Sequence, residues 1–335
     1  MDHISARRHA MAVAIAVFLA SAFPMSAIGQ IAPGVADQFR ASLENRIEAL
    51  TIFGGDYGLS DGSFRSHGHI DPVESDAVVK YDVSKFGGSG DVGDPQPIGA
   101  SGIRWQPRLQ GNIGYLDSKY ETGSGPLSGD INKVTTSAIE FGGGVRFWFG
   151  DSFSVAPTIM GMYGHTSDDY EVRSSYMREN LGSAMQLGLV DWSINTWSLR
   201  PALNVQYLIH FGRNTLTLSS DPTYFHTEAF NVSNVNMRIH GNSGSVDNKI
   251  DLDVPLGIGL FGHELHTGGY LSRTELLGDL KDGLAVAHIN EVHGRLVLDF
   301  LHHLWKVQWI GLGASYVDGT NFSGWAVGAD IAFRF

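Results

Sequence analysis

The chain has no cysteine among its 335 residues. This excludes disulfide scaffolds, zinc fingers, iron–sulfur clusters and thiol catalysis. Positive charge is also scarce, with 23 Lys+Arg against 35 Asp+Glu and a net charge of −12. An acidic chain without a basic stripe argues against a nucleic-acid-binding surface. Long apolar runs are missing too. The run Met11 to Phe23 spans roughly 20 Å as a helix at about 1.5 Å per residue, short of a ~30 Å hydrocarbon core. What is abundant is glycine (42 residues) and aromatic side chains (7 Trp, 11 Tyr, 18 Phe), within a hydrophobic fraction of 43%. The glycines show no G-X-Y period, which excludes collagen, and the apolar fraction is enough for a packed core.

The N-terminus carries Arg7 and Arg8, then the apolar run Met11 to Phe23, then the small-residue stretch Ala27-Ile28-Gly29. A positive n-region, an apolar h-region and a small-residue cleavage site read as a secretory signal peptide over residues 1–29. Residues 30–60 form an N-terminal segment. Within it, 36–50 (ADQFRASLENRIEAL) places Phe39, Leu43, Ile47 and Leu50 at helical spacing, with Arg40, Glu44, Arg46 and Glu48 between them. One amphipathic helix is predicted there.

Beyond residue 61 the period falls to two. In 103–115, Ile103, Trp105, Leu109, Ile113 and Tyr115 share one face, opposed by Arg104, Gln106, Arg108, Gln110 and Asn112. The pattern returns in 137–149, 153–163, 197–211, 250–260, 296–300 and 325–335. Turn-rich connectors are expected at Gly87–Ala100, Asp117–Lys133, Thr166–Gly182 and Gly241–Asp247, and tight ones at Gly150-Asp151-Ser152, Asn195-Thr196 and Leu301-His302-His303. The count is about twelve strands, or fourteen if 62–70 and 222–240 contribute. The expected fold is all-β: a transmembrane antiparallel barrel over 61–335.

Alternation alone does not separate a soluble barrel from a membrane one, since the apolar face points inward in the first and to lipid in the second. Aromatic spacing does. Trp105 and Tyr115, Trp197 and Tyr207, and Trp325 and Phe335 are same-face pairs ten residues apart. Ten residues at about 3.3 Å, tilted by about 40°, rise about 25 Å, the height of the apolar band between aromatic girdles. Arg104, Arg108, Glu140, Arg146, Arg200 and Asp330 fall mid-strand on the polar face, where a dry core would penalise them and a wet lumen would not. The chain ends Ile331, Phe333, Phe335 at alternate positions. This resembles the C-terminal signal through which the barrel assembly machinery recognises outer-membrane proteins, and it makes that machinery an expected partner through Phe335. Lipid and lipopolysaccharide of the outer membrane are the other expected partners.

A signal peptide, a lone helix and about a dozen strands ending in Phe resemble the translocator domain of autotransporters. The helix-to-strand entry ASLENRIEALTIFGGDYGLSDGSF adds to the likeness. With the helix beginning a few residues after the predicted cleavage site, the likeness is to the solitary autotransporter-type barrel, which lacks a passenger. The resemblance implies that helix 36–50 lodges in the lumen as a plug, its charges pairing with lumen residues such as Arg104, Arg108 and Glu140. Its deletion should then raise conductance. Self-cleaving members of the family use paired asparagines, whereas this helix has Asn45 alone, so self-cleavage is not expected.

Motifs for chemistry are weak. His263-Glu264-Leu265-His266 lacks the spacing of H-E-x-x-H and reads as a polar turn. His67/His69 and His302/His303 have no third ligand nearby in sequence. His165-Thr166-Ser167-Asp168-Asp169 sits where a strand meets a loop and offers the residue types of a hydrolase base and nucleophile. Asp56 and Asp61 lack the ligand positions of a calcium loop. Gly142-Gly143-Gly144 falls inside a strand, where it permits curvature or close approach. No catalytic, cofactor-binding or metal-binding residue is assigned, and no cofactor. The expected function is a structural or surface-exposed outer-membrane barrel, with a porin-like pore or solute transporter as the alternative and a lipid or peptide hydrolase after that.

Overall fold

The computed structural model describes residues 58–67, 78–121, 129–186, 190–235, 238, 240–284, 286–300, 307–320 and 322–333. The predicted signal peptide, helix 36–50 and Phe335 lie outside these. The described chain forms β1 (Gly58–His67), β2 (Val78–Asp91), the two-residue β3 (Gln96–Pro97), β4 (Ile103–Glu121), β5 (Ile131–Phe149) and β6 (Phe153–Glu171). Then follow α1 (Ser175–Gln186), β7 (Ser193–Phe211), β8 (Asn214–Val232), β9 (His240–Leu260), β10 (His263–Gly278), α2 (Asp279–Leu284), β11 (His288–Asp299), β12 (Val307–Gly319) and β13 (Phe322–Phe333).

Every pairing is antiparallel and, apart from β2–β4 and β1–β13, joins sequence neighbours; the β1–β13 pair closes the sheet on itself. Because β2 pairs directly with β4, the short β3 caps one end of β4 and the barrel wall has twelve strands. Closure removes the free edges, which is a requirement in lipid because no water is there to satisfy them. The starts of β1, β4, β6, β8, β10 and β12 and the ends of β2, β5, β7, β9, β11 and β13 gather at one end, together with the described connections 92–102, 150–152, 212–213 and 261–262. This is the turn end. At Phe261-Gly262 both residues have positive φ, 55° and 84°, the geometry of a two-residue hairpin turn. The opposite strand ends gather at the other, loop end, where the intervening stretches of sequence are longer and where the described residues 129–130, 172–186, 190–192, 233–235 and 279–284 lie.

The apolar faces read from the sequence point outward. Trp105, Ile113, Tyr115, Ile139, Phe141, Trp197, Tyr207, Ile258 and Trp325 are all exposed on the barrel's outside. Their alternate neighbours Gln106, Glu140, Arg146, Ser198 and Arg200 are buried inside. Several expected connectors are strand instead. Asn195-Thr196 lies within β7 and 241–247 within β9, while β6 runs on to Glu171 and β2 to Asp91. The weak stretch 222–240 is largely the second half of β8. Polar residues mislead there because β4 to β7 are 19 residues each, whereas about ten suffice to cross the bilayer. The surplus stands beyond the lipid and needs no apolar face. Gly142 and Gly144 behave as expected: a Cβ on either would collide with a backbone carbonyl of β6, Ile159 or Pro157.

Candidate functional site

The lumen is the candidate site, and its two halves differ. At the loop end many inward side chains are apolar, packed among buried polar ones such as Ser118, Thr136, Thr166 and Thr196. Phe64, Val83, Leu116, Ala138 and Met162 from β1, β2, β4, β5 and β6 join one buried cluster with Leu276, Leu280, Ile289, Val317 and Phe322. Phe64 stacks on Phe322 with centroids 5.6 Å apart. The connection after β10 folds in to complete it, with Leu280 fully buried, its N–H donating to Ser243 Oγ at 3.1 Å and Asp279 Oδ2 accepting from Asn242 N at 2.9 Å. A second cluster of Val134, Trp192 and Ile194 fills the neighbouring sector. Four members of the main cluster directly adjoin an outward aromatic in sequence: Leu116 beside Tyr115, Met162 beside Tyr163, Val317 beside Tyr316, Ala326 beside Trp325. The strands thus turn an aromatic to the lipid boundary and an apolar residue inward at one level. Polar pairs are interleaved with these residues: Thr136 and Thr166, loopward of Ala138 and Met162 on their strands, share a buried hydroxyl contact of 3.1 Å, and Ser198 and Thr227 share one of 2.7 Å.

Towards the turn end the lumen is charged. On β2 to β7 it presents Lys85, Arg108, Arg146 and Arg200 with Asp91 and Glu140. Asp91 takes Arg108 at 3.0 Å and Arg146 at 3.1 Å, and Glu140 pairs with Arg200, whose guanidinium also lies 5.8 Å from the Phe225 ring centroid. On β8 to β11 the wall presents Asp221, Asp247, Asp251, Asp253, Glu291 and Asp299, with Lys249 and Arg295. Arg295 makes a bidentate pair with Asp251 at 2.9 and 2.7 Å. Lys249 Nζ sits 4.6 Å from the Tyr270 ring, which stacks on His293 with centroids 4.6 Å apart. One wall carries four cations against two carboxylates, and the other six carboxylates against two cations.

The residues singled out from sequence do not assemble a catalytic centre. His165 points outward and Asp168 inward, as strand alternation demands, so the hydrolase reading of 165–169 loses its base–acid pair. His165 Nδ1 is 2.6 Å from Asn195 Oδ1, while Asp168 accepts from Asp191 N at 2.9 Å. The expected polar turn at 263–266 is the start of β10, where His266 Nδ1 lies 2.9 Å from Asp253 Oδ2 in the lumen. Among the described residues no group of three His, Asp or Glu side chains is arranged to hold a metal. Of the named lumen residues, Arg104 lies at the turn-end rim on Asp151 at 2.8 Å, whereas Arg108 and Glu140 lie within.

One polar knot escaped the sequence reading. Asp130, in the connection before β5, accepts from Arg173 N and Ser174 N at 2.6 Å each, from Ser174 Oγ at 2.7 Å and from Tyr170 Oη at 3.1 Å. Ser174 Oγ in turn accepts from Met177 N at 3.1 Å and so caps α1. Burial acts to raise the Asp130 carboxyl, but these donors outweigh it and hold it below its ordinary value.

A closed twelve-stranded antiparallel barrel, apolar outside and charged within, defines an outer-membrane β-barrel. Residues 98–328 match the family described as solitary outer membrane autotransporter beta-barrel domain, and the chain belongs to it. Barrel domains of this family are bacterial outer-membrane proteins, and the family is not one of enzymes. The transport unit of the autotransporter AIDA-I from Escherichia coli shares the fold with a TM-score of 0.59 at 9% identity, covering 91% of this chain and 100% of that one. The translocator domain of the autotransporter NalP from Neisseria meningitidis does so with a TM-score of 0.50 at 10% identity and coverages of 91% and 100%. No curated protein matches the chain in sequence.

Proposed function

We propose that the protein is a closed, non-conducting outer-membrane barrel: a structural, surface-exposed element without enzymatic activity, whose lumen is a cup open towards the turn end. The observation that carries this is the apolar cluster at the loop end, built from side chains of most strands around the ring, with Phe64 and Leu280 fully buried. Ions need water, and close-packed aliphatic and aromatic groups leave none. Long loops mark the cell-exterior side of such barrels, so the seal faces outward and the cup faces the periplasm. Export by residues 1–29 and assembly through the C-terminal strand ending at Phe335 complete the reading, as does placement of helix 36–50 inside the cup with lipopolysaccharide around the outer face.

A porin-like pore requires a continuous wet passage, which the seal opposes. Liposomes loaded with the purified, heat-modifiable barrel test this. No swelling in small sugars or amino acids is expected; swelling as fast as with a general porin would replace this reading with the pore.

A further inference from the structure

A row of cations crosses the outer wall at the loop end. On β1, β4 and β5 the buried Phe64, Ser118 and Val134 point inward, so their neighbours Arg65, Lys119 and Lys133 point outward, with Lys80 of β2 among them. Register aligns the four. Arg65 is the cross-strand partner of Lys80, Lys80 of Lys119 and Lys119 of Lys133, and all are exposed. Like charges directly opposite are unfavourable, and here they stand side by side over three strand spacings, about 14 Å. Among the described residues no carboxylate pairs with them, although Asp82 and Asp117 lie two residues turnward and Asp169 is opposite Lys133. Elsewhere in the loop half, Arg173 and Arg273 are each held by a glutamate two residues away, Glu171 and Glu275, at 2.8 and 2.6 Å.

Height on the wall identifies the missing counter-charge. Trp325 is the partner of Ser63, two residues turnward of Arg65, and Tyr115 lies four residues turnward of Lys119, both rings being exposed. Two to four residues at about 3.3 Å, tilted by about 40°, put the row about 5–10 Å above this aromatic belt. Six residues turnward of the row, the same strands present Leu59, Phe86, Ile113 and Ile139, again direct partners and all exposed. The row thus stands at headgroup level over acyl chains. Lys and Arg reach phosphate there while their stems cover apolar surface. Between row and belt, Ser63, Asp82, Asp117 and Thr135 form another aligned set, whose carboxylates and hydroxyls suit sugar hydroxyl groups. Resting on the reading of the loop end as the cell exterior, we propose that the outer face of β1, β2, β4 and β5 is a binding site for lipid A, the acylated disaccharide of lipopolysaccharide with a phosphate at each end. Arg65, Lys80, Lys119 and Lys133 seat the phosphates, and the apolar row below meets the chains.

Native mass spectrometry of the folded, heat-modifiable barrel in detergent reads the site with three probes: lipid A with both phosphates, lipid A with neither, and phosphatidylglycerol. The first should bind about tenfold or more tighter than the other two. Lys80→Gln, Lys119→Gln and Lys133→Gln together should remove that preference, and Lys119→Gln alone should remove part of it. A matched variant, Arg104→Gln, Arg213→Gln and Arg273→Gln, loses three charges elsewhere and should keep it. Equal losses in the two triple variants, or binding that ignores the phosphates, overturns the site. Phosphatidylglycerol held as tightly through the same lysines overturns the assignment to a sugar-borne phosphate pair. Val235, 76% exposed at the loop end of a chain without cysteine, tests the orientation separately. A membrane-impermeant maleimide should label Val235→Cys on intact cells. No labelling of a folded barrel overturns the exterior reading and the proposal with it, whereas labelling without a phosphate preference overturns the proposal alone.

Discussion

The loop half and the turn half of the lumen are made from the same strands with the same alternation, yet one holds a large apolar cluster and the other is charged. In the loop half Leu116, Met162 and Val317 face inward; in the turn half of the same or neighbouring strands Arg108, Arg146 and Arg295 do. The outward face of the strands does not change character in this way across the membrane. The contrast shows that the outer face answers to lipid and is fixed along its height, whereas the inner face is free to be solvent-like or core-like. A barrel that uses both becomes a cup rather than a tube. The charged half has to keep its partners because each ion there is largely removed from bulk water. The apolar half has to keep its shape because packing is what excludes water.

The largest effect is expected in the charged half. Glu140→Ala leaves Arg200 buried without its carboxylate, and unfolding in denaturant should show a loss of about 3–5 kcal/mol, with Glu140→Gln losing less. In the loop half Phe64→Ala removes a fully buried ring and should cost about 3–4 kcal/mol by the same measurement, which places the two halves on an equal footing. A distinctly smaller loss for Phe64→Ala would mean that the seal is loosely packed. Above the seal, Asp130→Asn should cost about 1–2 kcal/mol and speed proteolysis of the 172–192 connection. Because the Asp130 carboxyl is held below its ordinary value of 3.8, its contribution is fully present above that pH and is lost as the pH falls through the lower native value. Proteolytic protection should therefore fall on acidification in the native chain and stay flat in Asp130→Asn. At the turn-end rim, Arg104→Ala breaks an exposed pair and should change stability by less than about 0.5 kcal/mol.

Much of this was legible in the sequence. The period of two, the aromatics ten residues apart and the mid-strand charges specify a membrane barrel, because lipid contact and strand alternation are local constraints that each segment obeys alone. The seal was not legible. Leu116 follows Tyr115 and ends a clean alternation, so in isolation it reads as the end of a strand rather than as one member of a ring. Only closure of β1 on β13 brings Phe64 to Phe322 and shows what these residues do together. The same holds for Asp130, more than forty residues from the Ser174 backbone it holds, and for Asp221 and Asp247, whose opposition depends on a register that sequence does not fix. The helix of residues 36–50, expected from sequence as a plug in the lumen, lies outside the described residues; under the proposed reading it is the lower of two barriers in series.

That series arrangement is the central claim, and single-channel recording in planar bilayers tests it most directly. Three proteins are compared: the full mature chain, the same chain without residues 36–50, and that deletion combined with Phe64→Ser and Leu280→Ser. The account predicts silence from the first two and stable ion-conducting steps from the third. Large steps from the 36–50 deletion alone would contradict it, because an intact apolar seal does not pass ions.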